Sequence, residues 1–462
     1  MKIQNYIIIS AIGAGAAIAL QSCNMYGKFN MSKQSELTAE YTRAVADTPD
    51  PTAFGNLSWQ QVFTDPVLAD LINQALANNT NLENAKLNVD IAHAQLKGAK
   101  LSFFPSVALA PNGAVSHFEN GGWTRTYQIP LSVSWEVDLF GKLLNNKRAA
   151  KENLLQSEAY AQAVRSQIIG AVANTYYGIA TIEQQLELSR TTAATWKESV
   201  QTMRDLKSAG RSNEVAVVQS EAQYYGILAS ITDLEVSLEE LNNTMSLLLD
   251  VMPQTWTIAP LSMLPMPQIQ RDAIPMRELA ARPDVRASEH ALAAAYYNTA
   301  GARSAFYPSL NITANGGFTN SLGSMIVNPG KFFLNLAGQL TAPLFSRGAN
   351  IARLEAAKAQ QKQALNNFEY TLMNASAEVS NAMTLYQKSL EKQELVNVQV
   401  GDLSKAVEYT QELLRVGSST TTYLDVLTAQ TGLLNAQISE ITARNNQARA
   451  LINLYQSLGG GR

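Results

Sequence analysis

The chain has 462 residues, more than one ordinary hydrophobic core organises, so its length calls for two or three domains or an internally repeated architecture. Thirty-five basic and thirty-eight acidic side chains leave a net charge of −3, with only 16% of residues charged, which excludes the electrostatic footprint of a nucleic-acid binder. One cysteine rules out an intrachain disulfide, and His93, His117 and His290 are scattered without a cysteine partner, so neither a metal site nor a cofactor is expected.

At the N-terminus, Lys2 precedes an apolar run from Ile7 to Leu20, long enough for a signal-peptide core but short of the roughly 20 residues that span a bilayer. Residues 1–22 are therefore expected to be a removable export signal. The segment ends Leu20-Gln21-Ser22-Cys23, which resembles the bacterial lipobox and makes Cys23 the expected lipid anchor, acylated (palmitate among its chains) on sulfur and on its new N-terminus. Each buried methylene contributes about 0.8 kcal/mol, so three acyl chains hold a protein on a membrane where one is marginal. Asn24, in place of Asp, fits delivery to the outer membrane. Residues 23–58 are expected to form a lipid-anchored extended segment.

From residue 59 onward the chain is written twice. Gly98-Ala99-Lys100-Leu101-Ser102-Phe103-Phe104-Pro105 returns as Gly301-Ala302-Arg303-Ser304-Ala305-Phe306-Tyr307-Pro308, and Asp138 to Lys142 returns as Pro343 to Arg347. The spacing between matched landmarks drifts only from 203 to 207 residues, far beyond a solenoid unit, so this is a duplicated domain. The first repeat is placed at 59–252, a proline-rich linker at 253–274, the second repeat at 275–458 and a flexible tail at 459–462.

Within the first repeat, a helix is expected over 66–104, strands near 105–115 and 127–138, a long helix over 139–210 and a return helix over 212–250. In the second, the corresponding elements are a helix at 275–306, strands near 308–318 and 332–342, and helices at 344–417 and 418–458. Residues 131–252 and 344–462 contain no proline, which helix interiors do not tolerate. Leu228, Ile231, Leu234, Leu238, Leu241, Met245 and Leu248 step by three and four, as do their counterparts from Leu434 to Tyr455 apart from a polar gap at Asn445.

Between the repeated motifs the period changes to two. Tyr127, Ile129, Leu131, Val133, Trp135 and Val137 alternate with Gln128, Pro130, Ser132, Ser134, Glu136 and Asp138, and Phe332, Leu334, Leu336, Gly338, Leu340 and Ala342 alternate with Phe333, Asn335, Ala337, Gln339 and Thr341. Such strands, with aromatics at their ends, fit a transmembrane β-barrel, the alternative being a soluble sheet under helices. Pro130 cannot donate to a ladder and is expected at a bulge or near the strand's start. Four strands cannot close a barrel, and an open edge does not survive in lipid, so identical copies must complete the wall.

The FFPSV and FYPSL segments, the DLFGK motif at 138–142, Arg282-Pro283-Asp284-Val285, and the stretch from Val416-Gly417 through Asp425-Val426-Leu427-Thr428-Ala429-Gln430 together resemble the TolC-like outer-membrane factor family, especially its NodT/OprM-type lipoproteins. The resemblance covers nearly the whole chain after Cys23. It implies a mainly α fold with a small transmembrane β part. In a homotrimer, four strands per chain would make one 12-stranded β-barrel, continuous with a long α-helical barrel. It further implies a non-enzymatic efflux duct whose partners are a periplasmic adaptor (membrane fusion) protein, an inner-membrane resistance-nodulation-division transporter and the outer-membrane lipid.

The helical hairpin tips carry Gly210, Arg211 and Ser212, then Gly417, Ser418 and Ser419. In each, the glycine suits left-handed backbone angles and the hydroxyl residue suits capping the next helix. The resemblance implies that these tips dock the adaptor and that Asp425 lines a periplasmic gate as a ring of three carboxylates. Glu136 and Asp138 are expected in the lumen near the barrel-to-tunnel junction, the alternative being ordinary wall positions. No nucleophile elbow, zinc-protease or P-loop motif is present outside the signal segment, so an enzyme is not expected. Two other readings are an outer-membrane channel for type I protein secretion and a non-conducting structural surface lipoprotein.

Overall fold

The computed structural model describes residues 26–45, 57–117, 119, 121–265, 279–319, 331–416 and 421–460. The expected signal segment, Cys23, Gly417, Ser418 and Ser419 lie outside the described residues. Helices α1 (Glu36–Val45), α2 (Trp59–Val62), α3 (Pro66–Asn78) and α4 (Thr80–Leu101) lead to strands β1 (Ser106–Leu109), β2 (Asn112–Ser116) and β3 (Thr124–Val137). Helices α5 (Lys142–Ser208), α6 (Glu214–Leu248) and α7 (Pro283–Ser304) follow, then β4 (Ser309–Thr319), β5 (Lys331–Thr341), α8 (Ala349–Arg415) and α9 (Tyr423–Ser457).

The duplication is metrical. Helices α5 and α8 both have 67 residues, α6 and α9 both 35, and α4 and α7 both 22. At 1.5 Å per residue the longest run about 100 Å. No helix among the described residues is long and apolar enough to cross a membrane. Each long helix starts after a corner with left-handed backbone, Gly141 at φ 71° in the first repeat and Arg347 and Gly348 at 52° and 80° in the second.

The helix expected over 66–104 is broken. Asn79 is extended (φ −60°, ψ 120°), and its Oδ1 accepts from Asn81 and Leu82 N–H, so it ends α3 and caps α4. Upstream, Asp65 caps α3 by accepting from Val67 and Leu68, with Pro66 in the first helical position, where a missing N–H costs nothing.

The strands form one antiparallel sheet in the order β1/β2, β3, β4, β5. β1 and β2 hold a single unbroken register on β3, from Ser106↔Ser134 to Ser116↔Thr124, and behave as one strand interrupted at Ala110–Pro111. Pro130 departs from the expected bulge or strand start. It lies mid-strand with no bulge, because its donor-less edge faces that same interruption, where Pro130 O still accepts from Ala110 N at 3.2 Å. On its other side it pairs with Gly317, where a Cβ would meet Ile129 O at 2.1 Å.

The chain divides into two compact units, each assembled from segments of both repeats. The first holds the sheet and the helix segments beside it, with Ala92, Leu96 and Leu154 as a small core. The segment after residue 26 is strapped onto this unit: Tyr26 Oη donates to Leu139 O at 2.7 Å, and Tyr41 packs edge-on against Phe368 while donating to Glu289.

The second unit holds the main core, where Ile169, Val172, Tyr176 and Ile179 of α5 meet Leu68 and Ile72 of α3, Met245 of α6 and Leu451 and Tyr455 of α9. Burying each large apolar side chain contributes roughly 1.5–3 kcal/mol. The described part of the expected linker, residues 253–265, is packed down here. Ile258, Leu261 and Leu264 are buried, Trp256 N and Nε1 bond to Asn242, and Tyr177 Oη donates to Pro265 O.

Candidate functional site

The sheet has one apolar and one polar face, because cross-strand partners in an antiparallel pair point the same way. The rows Val107↔Val133↔Ala314↔Leu336, Leu109↔Leu131↔Gly316↔Leu334 and Ile129↔Phe318↔Phe332 put only apolar groups on one side. Most of these side chains are bare, with Leu336 72% and Phe332 67% exposed. The alternate rows put Ser106, Ser134, Thr313 and Ala337, then Ser132 and Asn315 with Asn335, on the opposite face. Along their outer edges, β1/β2 and β5 have no strand partner among the described residues.

Glu136 lies on the polar face, paired with Asn311, and its Oε1 accepts from Lys142 Nζ at 2.8 Å. Asp138 follows the end of β3. Its Oδ2 accepts from Leu144 N at 2.8 Å, so it ties down an N–H that the first turn of α5 would otherwise leave unpaired. Trp135 Nε1 donates to Phe103 O, and Phe140 stacks on Tyr307 with centroids 5.0 Å apart, so the landmarks of the two repeats meet at this junction.

The hairpin joining α5 to α6 is closed by backbone geometry. Gly210 takes φ 70°, its N–H bonds to Lys207 O at 2.9 Å, and Arg211 N bonds to Leu206 O at 2.8 Å, the six-to-one pattern of a Schellman motif. Ser212 is not the cap expected of it. Helix α6 starts at Glu214, so the cap is Asn213, whose Oδ1 accepts from Ala216 N at 3.0 Å. Arg211 is exposed, as are Val215 and Val218 on α6 and Leu424 on α9. Lys207 pairs with Glu214, and Arg204 with Glu221 at 2.6 Å, bracing the two arms.

Asp425 sits in the first turn of α9 as the third residue of a capping box. Thr422 N and Oγ1 donate to its Oδ2 at 2.7 and 2.8 Å, and those bonds hold its pKa below the ordinary carboxylate value. The Thr422-x-x-Asp425 spacing is a readable capping signal.

Arg282 is the least solvated cation of the second unit that is held by acids. Its Nη2 donates to Asp284 at 2.7 Å and Glu378 at 2.6 Å, its Nε to Asp284, and its Nη1 to Ser457 O at 2.7 Å. Burial works against its charge, but the bonds to Asp284 and Glu378 prevail and its pKa is raised. Glu378, joined to Arg282 here, carries no signal in the sequence. A cavity of about 490 Å³ lies beside them, lined also by Gln167, Asn453 and Gln456. His290 Nδ1 lies 2.8 Å from Glu152, and His117 stacks on Trp123. No cluster of three or more His, Cys, Asp or Glu residues that could hold a metal occurs among the described residues.

The chain is similar over its length to exporters. It is 29% identical over 417 residues to the cation efflux system protein CusC of Escherichia coli O6:H1 (strain CFT073), covering 88% of this chain and 89% of that protein. It is 28% identical over 465 residues to the probable efflux pump outer membrane protein TtgC of Pseudomonas putida (strain KT2440), covering 97% and 94%. A crystal structure of CusC, described in terms of transmembrane channel formation, superposes with a TM-score of 0.80 at 27% identity, covering 90% of this chain and 99% of that one. The family described as "Outer membrane efflux protein" matches residues 71–249 and 274–460, one span in each repeat. The chain has a sheet bare on its apolar face and a 67-residue helix in each repeat; it belongs to the outer membrane efflux protein family and is an efflux channel of the outer membrane, not an enzyme.

Proposed function

We propose that three copies of this chain form the exit duct of a tripartite efflux pump, conducting small toxic compounds passively from a periplasmic adaptor and an inner-membrane resistance-nodulation-division transporter to the exterior. One observation carries the reading: a strand order of β1/β2, β3, β4, β5 whose outer edges lack partners among the described residues and whose apolar face is bare. In lipid every backbone N–H and C=O needs a partner, so neighbouring copies must pair those edges. Two copies would fill the interior with side chains, whereas three would enclose a water-filled bore lined by the polar face.

In this reading residues 1–22 are removed and Cys23 is acylated. Tyr26 supports the placement, since its hydroxyl is fixed to Leu139 O at the strand-to-helix junction only three residues beyond Cys23. The hairpin tips around Gly210 to Ser212 and Gly417 to Ser419 dock the adaptor. Exposed Arg211, Val215 and Val218 offer mixed charged and apolar contact there. Asp425 narrows the same end, and Glu136 lines the bore. The cargo is of the kind named for the relatives, cations in the case of CusC.

The test is the mass of detergent-extracted protein that resists heating, followed by conductance in planar bilayers. A heat-resistant trimer with stable open-channel current is expected. A monomer soluble without detergent, or an oligomer that never conducts, would overturn the reading.

A further inference from the structure

Nine cations of the first unit lie along the strand-to-helix junctions at one end of the sheet. Residues 97–104, 136–151, 303–308 and 341–353, which flank the strand-to-helix junctions, carry nine Lys and Arg against two acids, in a chain that is acidic overall. Both acids are occupied, Glu136 by Lys142 and Asp138 by Leu144 N. Two further cations are engaged without an acid: Lys147 lies over the Phe103 ring, and Arg148 donates to Tyr26 O and Gly27 O. The remaining six, Lys97, Lys100, Lys151, Arg303, Arg347 and Arg353, are exposed and form no ion pair with any acid among the described residues.

Helix dipoles do not account for this collar. Lys100 and Arg303 stand in the last turns of α4 and α7, where the dipole favours a cation. Lys142 and Arg347 stand at the starts of α5 and α8, where it disfavours one, and neither first turn contains an acid. The same stretches expose apolar groups. Leu101 lies one turn after Lys97 at the end of α4, exposed Phe104 follows in the turn beyond it, Phe306 follows Arg303 by three residues, and Leu344 and Phe345 are 96% and 86% exposed just before Arg347. The pattern of cation, one turn, aromatic pair and proline is repeated in both halves as Lys100 to Pro105 and Arg303 to Pro308.

We infer that this collar is a binding surface for anionic phospholipid headgroups of the leaflet from which the helices emerge. Its aromatic and leucine side chains enter the acyl boundary while Lys100, Arg303, Arg347 and their neighbours bind the phosphates. The inference rests on the membrane-spanning reading of the sheet, with which the collar is continuous. Long cationic side chains beside an apolar band suit this task, because the stem packs on hydrocarbon while the head reaches phosphate.

The experiment incubates the detergent-extracted oligomer with equal amounts of phosphatidylglycerol and phosphatidylcholine and counts retained lipids by native mass spectrometry. A preference for phosphatidylglycerol is expected, falling roughly fivefold for each cation removed in Lys100→Gln, Arg303→Gln and Arg347→Gln. The exchanges Lys100→Arg, Arg303→Lys and Arg347→Lys should retain the preference, and the oligomer mass in the same spectra reports folding. Should the Gln variants not assemble, loss of the wild-type preference on raising salt gives the same support. Equal retention of both lipids by the wild type, or an unchanged preference in assembled Gln variants, would overturn the proposal and leave the membrane reading standing. Displacement of the lipid by millimolar inorganic phosphate at constant ionic strength would overturn it in favour of a free-phosphate site. A protein that retains no lipid and needs no detergent would overturn both readings.

Discussion

Asn79 and Arg282 hold the same place in the two repeats, and each ties the start of a 22-residue helix to the end of the 35-residue helix of its own repeat. Asn79 Nδ2 donates to Leu248 O at 2.9 Å, and Arg282 Nη1 donates to Ser457 O at 2.7 Å. The last carbonyls of a helix have no partner within it, so a side chain from the next rod is what joins two short helices into one long return. Arg282→Ala is expected to destabilise the protein by about 1–3 kcal/mol, and Asn79→Ala by about 1 kcal/mol. The Arg282 figure stays modest because Asp284 and Glu378 remain half in water once freed. Denaturation midpoints in detergent would check both values.

Gly317→Ala is expected to abolish the heat-resistant oligomer. A Cβ there would lie 2.1 Å from Ile129 O and 2.9 Å from Pro130 Cα, both backbone atoms of the strand that β4 must pair. Gly338→Ala in β5 is the control: an added methyl there would meet nothing within 4 Å, and assembly should be unaffected. Gel mobility before and after heating separates the two outcomes.

Gly210→Ala should cost about 1–2 kcal/mol through backbone strain alone, since φ is 70° and a Cβ there meets no atom within 4 Å. Gly210→Asn should recover part of the loss, because Asn accepts left-handed angles more readily than Ala. Urea midpoints across this series would report it.

Asp425 contributes to helix stability only when ionised. Its folded pKa lies below the ordinary value of 3.8, so its contribution is complete above that value and is lost as pH falls through the lower folded one. Between pH 5 and 8, about where proteins are most stable, the first turn of α9 should therefore exchange its amides at a rate showing no titration of this group. Asp425→Ala should open that turn throughout the range, measured by hydrogen exchange over residues 423–428.

The features legible in the sequence are those with a local period. Alternation at Ile129, Leu131, Val133 and Trp135 marks a strand because side chains alternate faces, and Leu228 to Leu248 mark a helix by their three-four spacing. The place of Pro130 is not legible in its own strand, because its tolerance is a property of the opposite one, where Ala110–Pro111 is already interrupted. Asn79 breaks a helix by hydrogen-bonding the backbone two and three residues on, which competes with a propensity signal that favours continuity. Ser212 and Asn213 are both good caps, and only the helix boundary at Glu214 decides between them. The bonds from Arg282 to Glu378 and Ser457 join residues 96 and 175 positions apart, a distance no local pattern spans.

Matched counts of 67, 35 and 22 residues make each repeat a gauge for the other. Deleting seven residues from α5 alone would draw its far end back by about 10 Å relative to that of α8. Indels in these rods should therefore survive only as compensated pairs, equal in size and placed in both halves, so that evolution of duct length is quantised by the ancestral doubling.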